Sequence, residues 1–191
     1  MKPLNFEENL LLLRLKRKDP EAFAKLYDLY VTPIYRFIYF KVPTRQDAED
    51  LTSEVFLKIW QYVSETEDII ENLRALLYRS ARNLVIDFYR RNANKEIISA
   101  DQVSFILEDD RQQSLLSQVE TKLEMKNIEL ILRQMKDEYR EVIILRFIEE
   151  LPISEMAKIL DKSKGSVRVL LHRALKVAKS LLAKDGKQQS D

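Results

Sequence analysis

Apolar positions recur at helical spacing through most of the chain, separated by short polar breaks. In the N-terminal half this pattern predicts four helices. The first covers about residues 6–18 and stops near Asp19-Pro20, where the proline fits the first turn of the next helix. Within it, Leu10-Leu11-Leu12-Leu13 is far too short to cross a membrane and reads as one helix face. The second helix runs over about 21–42 and carries Phe23, Tyr27, Tyr30, Tyr35, Phe37, Tyr39 and Phe40; Pro33 is expected to kink or break it. Pro43-Thr44 ends it, and Thr44 is placed to cap a third helix over about 45–63. After the acidic break at residues 64–68, a fourth helix spans about 71–91.

From about 92 to 120 the periodicity fades. Asn92, Asn94, Ser99, Ser104 and Gln112-Gln113 mix there with the acid cluster Glu108-Asp109-Asp110, a stretch long for a connection inside one compact domain. Helices resume at about 121–135, 137–149, 152–160 and 164–184. The expected architecture is all-α: two small helical domains joined by a flexible linker, the C-terminal one with a helix-turn-helix. The boundaries are 1–92 for the first domain, 93–120 for the acidic linker, 121–185 for the second domain and 186–191 for a tail.

The helix-turn-helix is the part most loaded with chemistry. Residues 151–160 form a short amphipathic helix, Asp161-Lys162-Ser163 a tight turn with Ser163 as N-cap, and a long helix follows. Between Lys162 and Lys184 stand seven Lys/Arg and no Asp or Glu, although the whole chain has a formal charge of only +1. On that helix Val167, Leu171, Ala174, Ala178 and Leu182 share an inward face. Lys164, Arg168, His172 and Lys176 lie four apart on the outward side, with Arg173 and Lys179 beside them. A solvated charged face usually pairs its cations with acids one turn away; with none available, the stripe points to DNA phosphates. The sole histidine, His172, falls within the stripe and has no second ligand near it in sequence, so contact with nucleic acid suits it better than metal. Gly165 is read either as a plain helix-start glycine or as a position where the backbone approaches a neighbouring helix or a phosphate.

Composition narrows the classes. The 46% hydrophobic residues suffice for real cores and the 33% charged residues keep them soluble. Two glycines in 191 residues argue against Gly-rich phosphate loops and sheet-rich folds. With no cysteine there is no disulfide framework or thiolate metal site, which is consistent with a reducing cytoplasm. The first eight residues lack the pattern of a signal peptide. No metal cluster, nucleophile–base pair or cofactor site is visible, so neither catalysis nor a cofactor is expected.

Two helices of the first domain carry further signals. The third has an apolar face of Leu51, Val55 and Ile59, which Phe56, Leu57 and Trp60 extend, and an acidic flank of Asp47, Glu49, Asp50 and Glu54. Core packing explains much of this, and the mix also suits docking on a basic protein. The fourth interleaves aromatics with Arg79, Arg82, Arg90 and Arg91. Its basic residues suit a nucleic-acid backbone, Tyr78 and Tyr89 suit stacking on bases, and Asn83 suits reading a base edge. Aromatics at helical spacing are more often core, and Phe88 is assigned there.

Residues 48–51 with 56–60, then 77–84, resemble the core-binding and promoter-melting part of a bacterial sigma factor. Residues 139–147, the helix-turn-helix, Gly165-Ser166-Val167-Arg168 and Leu171-His172-Arg173-Ala174 resemble its upstream-element domain. Two domains in so short a chain resemble the extracytoplasmic-function type of the sigma-70 family. In the usual pattern a glycine occupies the turn at Asp161 and an apolar residue follows, where Lys162 stands here; polar and basic residues stand at Val169 and Leu170, and glutamine at Ser53. Asp tolerates a left-handed turn, so the fold is expected to survive.

The resemblance implies a sigma factor that directs core RNA polymerase to specific promoters and promotes DNA melting, in the cytoplasm. Asp50, Ser53, Glu54 and Leu57 would dock on the clamp helices of the largest polymerase subunit, and the flap of the second-largest subunit would be a further partner. The 64–72 loop with Tyr78, Arg79, Arg82, Asn83 and Arg90 would capture a base from the minus-10 element. Lys162, Lys164, Ser166, Arg168, Val169, His172, Arg173 and Lys176 would meet the minus-35 duplex. The linker would thread toward the RNA exit channel, and an anti-sigma factor is a further partner of this type. The alternative is a stand-alone helix-turn-helix regulator binding duplex DNA as a dimer, which leaves the 79–91 helix unused.

Overall fold

The computed structural model describes residues 6–66, 68–93 and 128–188. Helix α1 (Phe6–Lys16) ends where Lys18 turns left-handed, φ 56°. There the Asp19 N–H donates to Arg14 O at 3.2 Å and the Lys18 N–H to Leu15 O at 2.9 Å, a closure usually given to glycine. Asp19 then starts α2 (Pro20–Tyr39) by accepting from the N–H groups of Glu21 and Ala22 at 3.0 and 3.4 Å. Pro33 does not break α2: the helix passes through it unbroken. A proline removes one backbone donor, but the turns on either side bury Tyr30, Ile34 and Phe37, and this packing holds the helix together.

Helix α3 (Arg45–Glu65) opens with a full capping box: the Asp47 N–H donates to Thr44 Oγ1 at 3.0 Å and the Thr44 N–H to Asp47 Oδ2 at 3.2 Å. Helix α4 (Leu73–Ala93) begins where Asn72 Oδ1 accepts from the Ala75 N–H at 2.6 Å. α2 packs on α1, α3 and α4, and α3 on α1 and α4. Their shared core includes Leu26, Ile34, Phe37 and Ile38 of α2, Val55, Phe56 and Ile59 of α3, and Leu77, Tyr78 and Leu84 of α4. Each such side chain contributes about 1.5–3 kcal/mol on full burial. Aromatic contacts support the pairings: Phe23 meets Trp60 edge-on at 4.9 Å, Phe37 meets Tyr78 edge-on at 5.2 Å, and Tyr27 meets Phe56 in a tilted contact at 4.8 Å between centroids. Lys41 is buried, and its ammonium lies 5.2 Å from the Phe37 ring centre.

Of the helix expected at 121–135 the described part, α5, covers 128–134, and the 93–120 linker lies almost wholly outside the described residues. The guanidinium of Arg140 gathers the carbonyls of Leu132, Arg133 and Met135 at 2.7, 3.1 and 3.1 Å, which satisfies the free end of α5. The single helix expected over 137–149 is α6 (Asp137–Ile143) followed by a π-helical turn (Ile144–Ile148). Glu150 leaves that turn left-handed, φ 53°, and Arg146 donates to Leu151 O at 3.0 Å. Helices α7 (Ile153–Leu160) and α8 (Lys164–Gln188) complete the order, with α8 packed on α6. α8 runs past the expected end at 184 into the tail.

The chain divides into two compact units, α1–α4 in the first and most of α5–α8 in the second. Among the described residues there is no strand, and no helix is long and apolar enough to cross a membrane.

Candidate nucleic-acid and protein interfaces

The turn between α7 and α8 is built from three polar residues. Asp161 takes the left-handed conformation, φ 52°, and the next N–H, that of Lys162, donates back to Ala157 O at 3.0 Å. Ser163 then caps α8: its Oγ accepts from the Ser166 N–H at 3.0 Å and lies 2.9 Å from Ser166 Oγ. The glycine-free turn expected at Asp161 is therefore realised by the same geometry a glycine would give. At Gly165 an added Cβ would meet only Ser163 Oγ, at 3.7 Å, an ordinary contact. No helix crowds it, so the close approach to a neighbouring helix is not there.

From this turn α8 presents one broad polar arc. Val167 and Ala174 are fully buried, and Leu171 and Ala178 are half-buried beside them. Leu182, expected on the inward face, is instead 54% exposed. Lys162, Lys164, Ser166, Arg168, Val169, His172, Arg173 and Lys176 are all exposed. Among the described residues none of the cations Lys164, Arg168, Arg173 and Lys176 is held in an ion pair. Their charge is available to an outside anion. The same residues include no group of His, Asp or Glu that could hold a metal, His172 included.

On α4 the expected nucleic-acid residues separate. Arg79, Asn83 and Arg90 are exposed, about one and two turns apart on one face, and Arg82 is half-buried beside them. Asp87 lies on the same face, 3.8 Å from Arg90 Nη1, so the stripe is basic but not free of acid. Tyr78 does not belong to it. Its ring is 2% exposed and packs edge-on against Phe37, in step with Leu77, Ala81 and Val85 on the core side. Burial makes it unavailable for stacking on a base. Tyr89 keeps a half-exposed ring while its hydroxyl donates to Lys41 O at 2.7 Å. Phe88 is half-buried and meets Tyr89 at 5.4 Å.

On α3 the residues Asp50, Ser53, Glu54 and Leu57 follow helical spacing along one side. Asp50, Ser53 and Leu57 are exposed, Leu57 by 55%, and Glu54 is half-buried with Lys58 Nζ at 3.0 Å. Ser53 Oγ donates to Glu49 O at 3.0 Å. Phe56 and Trp60, read in the sequence as surplus apolar character, are absorbed by α2 through Tyr27 and Phe23. Leu57 is left as an apolar side chain among acids, a pattern that fits a protein surface.

One feature of this unit had no sequence signal. Lys16, at the end of α1, donates to the carbonyl oxygen of Asp68 in the α3–α4 connection at 3.2 Å, a tie between residues 52 positions apart. The pairing of two distant polar residues cannot be found from helical periodicity.

Comparison with known proteins supplies the context. The sigma-70 region 2 family model matches residues 26–95 and the sigma-70 region 4 model residues 125–177, together more than half of the chain. The chain is 30% identical to the ECF RNA polymerase sigma factor BldN of Streptomyces coelicolor over 93% of its own length and 66% of that protein's. It is 32% identical to the ECF RNA polymerase sigma factor SigX of Bacillus subtilis over 82% of its own length and 81% of that protein's. It shares a fold, at TM-score 0.65 and 19% identity, with the sigma factor RpoE co-crystallised with the anti-sigma factor NepR from Bartonella quintana, covering 84% of this chain and 96% of that one. Two units that each match a different region of one family, in the family's order, make the chain a member of the sigma-70 family, of the extracytoplasmic-function type.

Proposed function

We propose that this chain directs core RNA polymerase to specific promoters, helps to open the DNA there and catalyses no reaction itself, acting in the cytoplasm. The observation that carries the reading is a division of charge. One unit displays an acid-and-leucine stripe on α3, and the other a basic arc on α8 with no acid among its exposed residues from Lys162 to Lys179. The first suits a basic protein surface and the second a phosphate backbone.

In this reading Asp50, Ser53, Glu54 and Leu57 meet the clamp helices of the largest polymerase subunit, while the C-terminal unit also meets the flap of the second-largest. The 64–72 loop with Arg79, Arg82, Asn83 and Arg90 handles the minus-10 element; Tyr78 has no place there. Lys162, Lys164, Ser166, Arg168, Val169, His172, Arg173 and Lys176 face the minus-35 duplex, with the start of α8 leading into the major groove. An anti-sigma protein is part of the proposal, supported by the RpoE relative, which was crystallised with one. The domains fall at 1–92 and 121–185 with the acidic linker between.

The test is reconstitution with core polymerase followed by transcription from a library of randomised promoters. Enrichment of templates with two conserved blocks at fixed spacing is expected. Failure to copurify with core polymerase, or transcription with no sequence preference, would sink the reading and leave the basic arc to a stand-alone regulator.

A further inference from the structure

The connection between α3 and α4 is anchored at both ends, and one anchor comes from α1, a helix with no place in the interfaces above. Asp68 is the tied residue. Its carboxylate accepts from the Tyr62 hydroxyl at 3.4 Å, its N–H donates to Thr66 Oγ1 at 3.1 Å, and its carbonyl oxygen accepts from Lys16 Nζ at 3.2 Å. At the far end Asn72 caps α4. Between these anchors stand Ile69, Ile70 and Glu71, and Ile69 is 88% exposed, the most exposed large apolar side chain among the described residues. An isoleucine held so far into solvent on a short, pinned connection is displayed by the backbone around it.

Lys16 is well placed to do the pinning. It closes α1, and Leu11, Leu12 and Leu15 of the same helix are buried, which fixes the helix against its neighbours. The ammonium is thus carried on a rigid element, while its acceptor is a main-chain oxygen one residue before Ile69. Main-chain tethering fixes where the loop sits, whatever side chains the loop carries.

We propose that Lys16 is a positioning residue for promoter opening: through the Asp68 carbonyl it braces the α3–α4 loop, so that Ile69 and its neighbours meet the displaced strand at a fixed place. The inference rests on the proposed role of the 64–72 loop in capturing a base. Because the brace touches neither the docking stripe on α3 nor the arc on α8, it governs opening and leaves duplex occupancy alone. A single solvent-exposed contact of an ammonium with a carbonyl is modest, so the effect on opening is about three- to tenfold.

The test uses holoenzyme assembled from full-length variants. Lys16→Met keeps the apolar stem and the helix propensity and removes only the ammonium. It is expected to occupy the duplex promoter as the wild type does and to open it about three- to tenfold more slowly, read by permanganate reactivity of unpaired thymines. Lys16→Arg, which can reach the same oxygen, restores the rate, and a pre-melted bubble template removes the defect. Wild-type opening by Lys16→Met, no restoration by Lys16→Arg, or a defect that persists on the bubble overturns the brace. A loop variant, Ile69→Ala with Glu71→Ala, separates the two levels. If it opens DNA normally, the base-capturing loop fails and the brace falls with it; if it opens poorly while Lys16→Met opens normally, only the brace is rejected.

Discussion

Arg168 and Arg173 stand exposed on the arc of α8, clear of any acid that would hold them. Replacing either with alanine is expected to weaken promoter binding by about 1–3 kcal/mol, the loss of one groove or phosphate contact. Lys179 lies farther from the end of α8 proposed to lead into the groove, so Lys179→Ala is expected to weaken binding more evenly across sequences. Holoenzyme affinity over a panel of minus-35 variants checks both. Normal transcription by both arginine variants from promoters that need the upstream element would remove α8 from the reading role. A second residue, Asp19, couples its charge to the fold. Arg14 Nε donates to its carboxylate at 2.6 Å, and chiefly through this bond, with help from the Glu21 and Ala22 N–H groups, the carboxyl is held below its ordinary range. A depressed carboxyl pKa contributes stability above the unfolded value, near 3.9, which is lost as pH falls through the folded one. Asp19→Asn keeps an N-cap and removes the charge. Between neutral pH and about pH 3 its melting temperature should therefore fall less than that of the wild type. Equal acid losses would show that the Arg14 pair contributes nothing to the acid limb.

At the scale of helices, the boundaries were legible wherever a cap had chemistry of its own: Asp19-Pro20, Thr44 and Ser163 mark α2, α3 and α8 in the sequence and do so in the structure. Two departures from the local pattern share a cause, since packing against other elements outweighs it. Of the kink or break expected at Pro33, the break is absent, because the proline sits between buried turns. Tyr78 is flanked by basic residues that suggest a nucleic-acid face, although its spacing to Ala81 and Val85 already placed it on the core side. The π-helical turn at Ile144–Ile148 has no sequence signature that separates it from an α-helix. The left-handed turn at Asp161 was legible because aspartate is among the few side chains that accept that conformation. Asp161→Gly should therefore keep promoter recognition and raise the stability of the C-terminal unit by about 1 kcal/mol, seen as a higher denaturation midpoint. A loss of stability would mean that the aspartate side chain does more than tolerate the turn. For α4, Asn83 is exposed between Arg79 and Arg90. Extruding a base costs a few kcal/mol that contacts must offset. Asn83→Ala holoenzyme is then expected to bind the duplex promoter, open it poorly and recover on a pre-melted template. Normal permanganate reactivity in this variant would reject Asn83 as a base-capturing residue.

Across the whole molecule the two candidate DNA surfaces belong to separate compact units, joined through the stretch between α4 and α5. Two weak contacts on a linker gain little until something fixes their separation. The isolated protein is therefore expected to bind duplex DNA weakly and with a steep salt dependence, and core polymerase to make the binding specific. Nanomolar, sequence-specific binding by the free chain at physiological salt would instead favour a stand-alone regulator. The edge contact between Trp60 and Phe23 has a practical consequence for such work. Trp60 is the chain's only tryptophan and lies in the N-terminal unit. Its fluorescence reports that unit alone, whereas helical circular dichroism adds both units together. One unlabelled sample thus carries two optical channels, and comparing them tells whether the units melt together or in sequence. The same indole stands three residues from Leu57, on the neighbouring turn of α3, so its emission is expected to shift if a partner covers that turn.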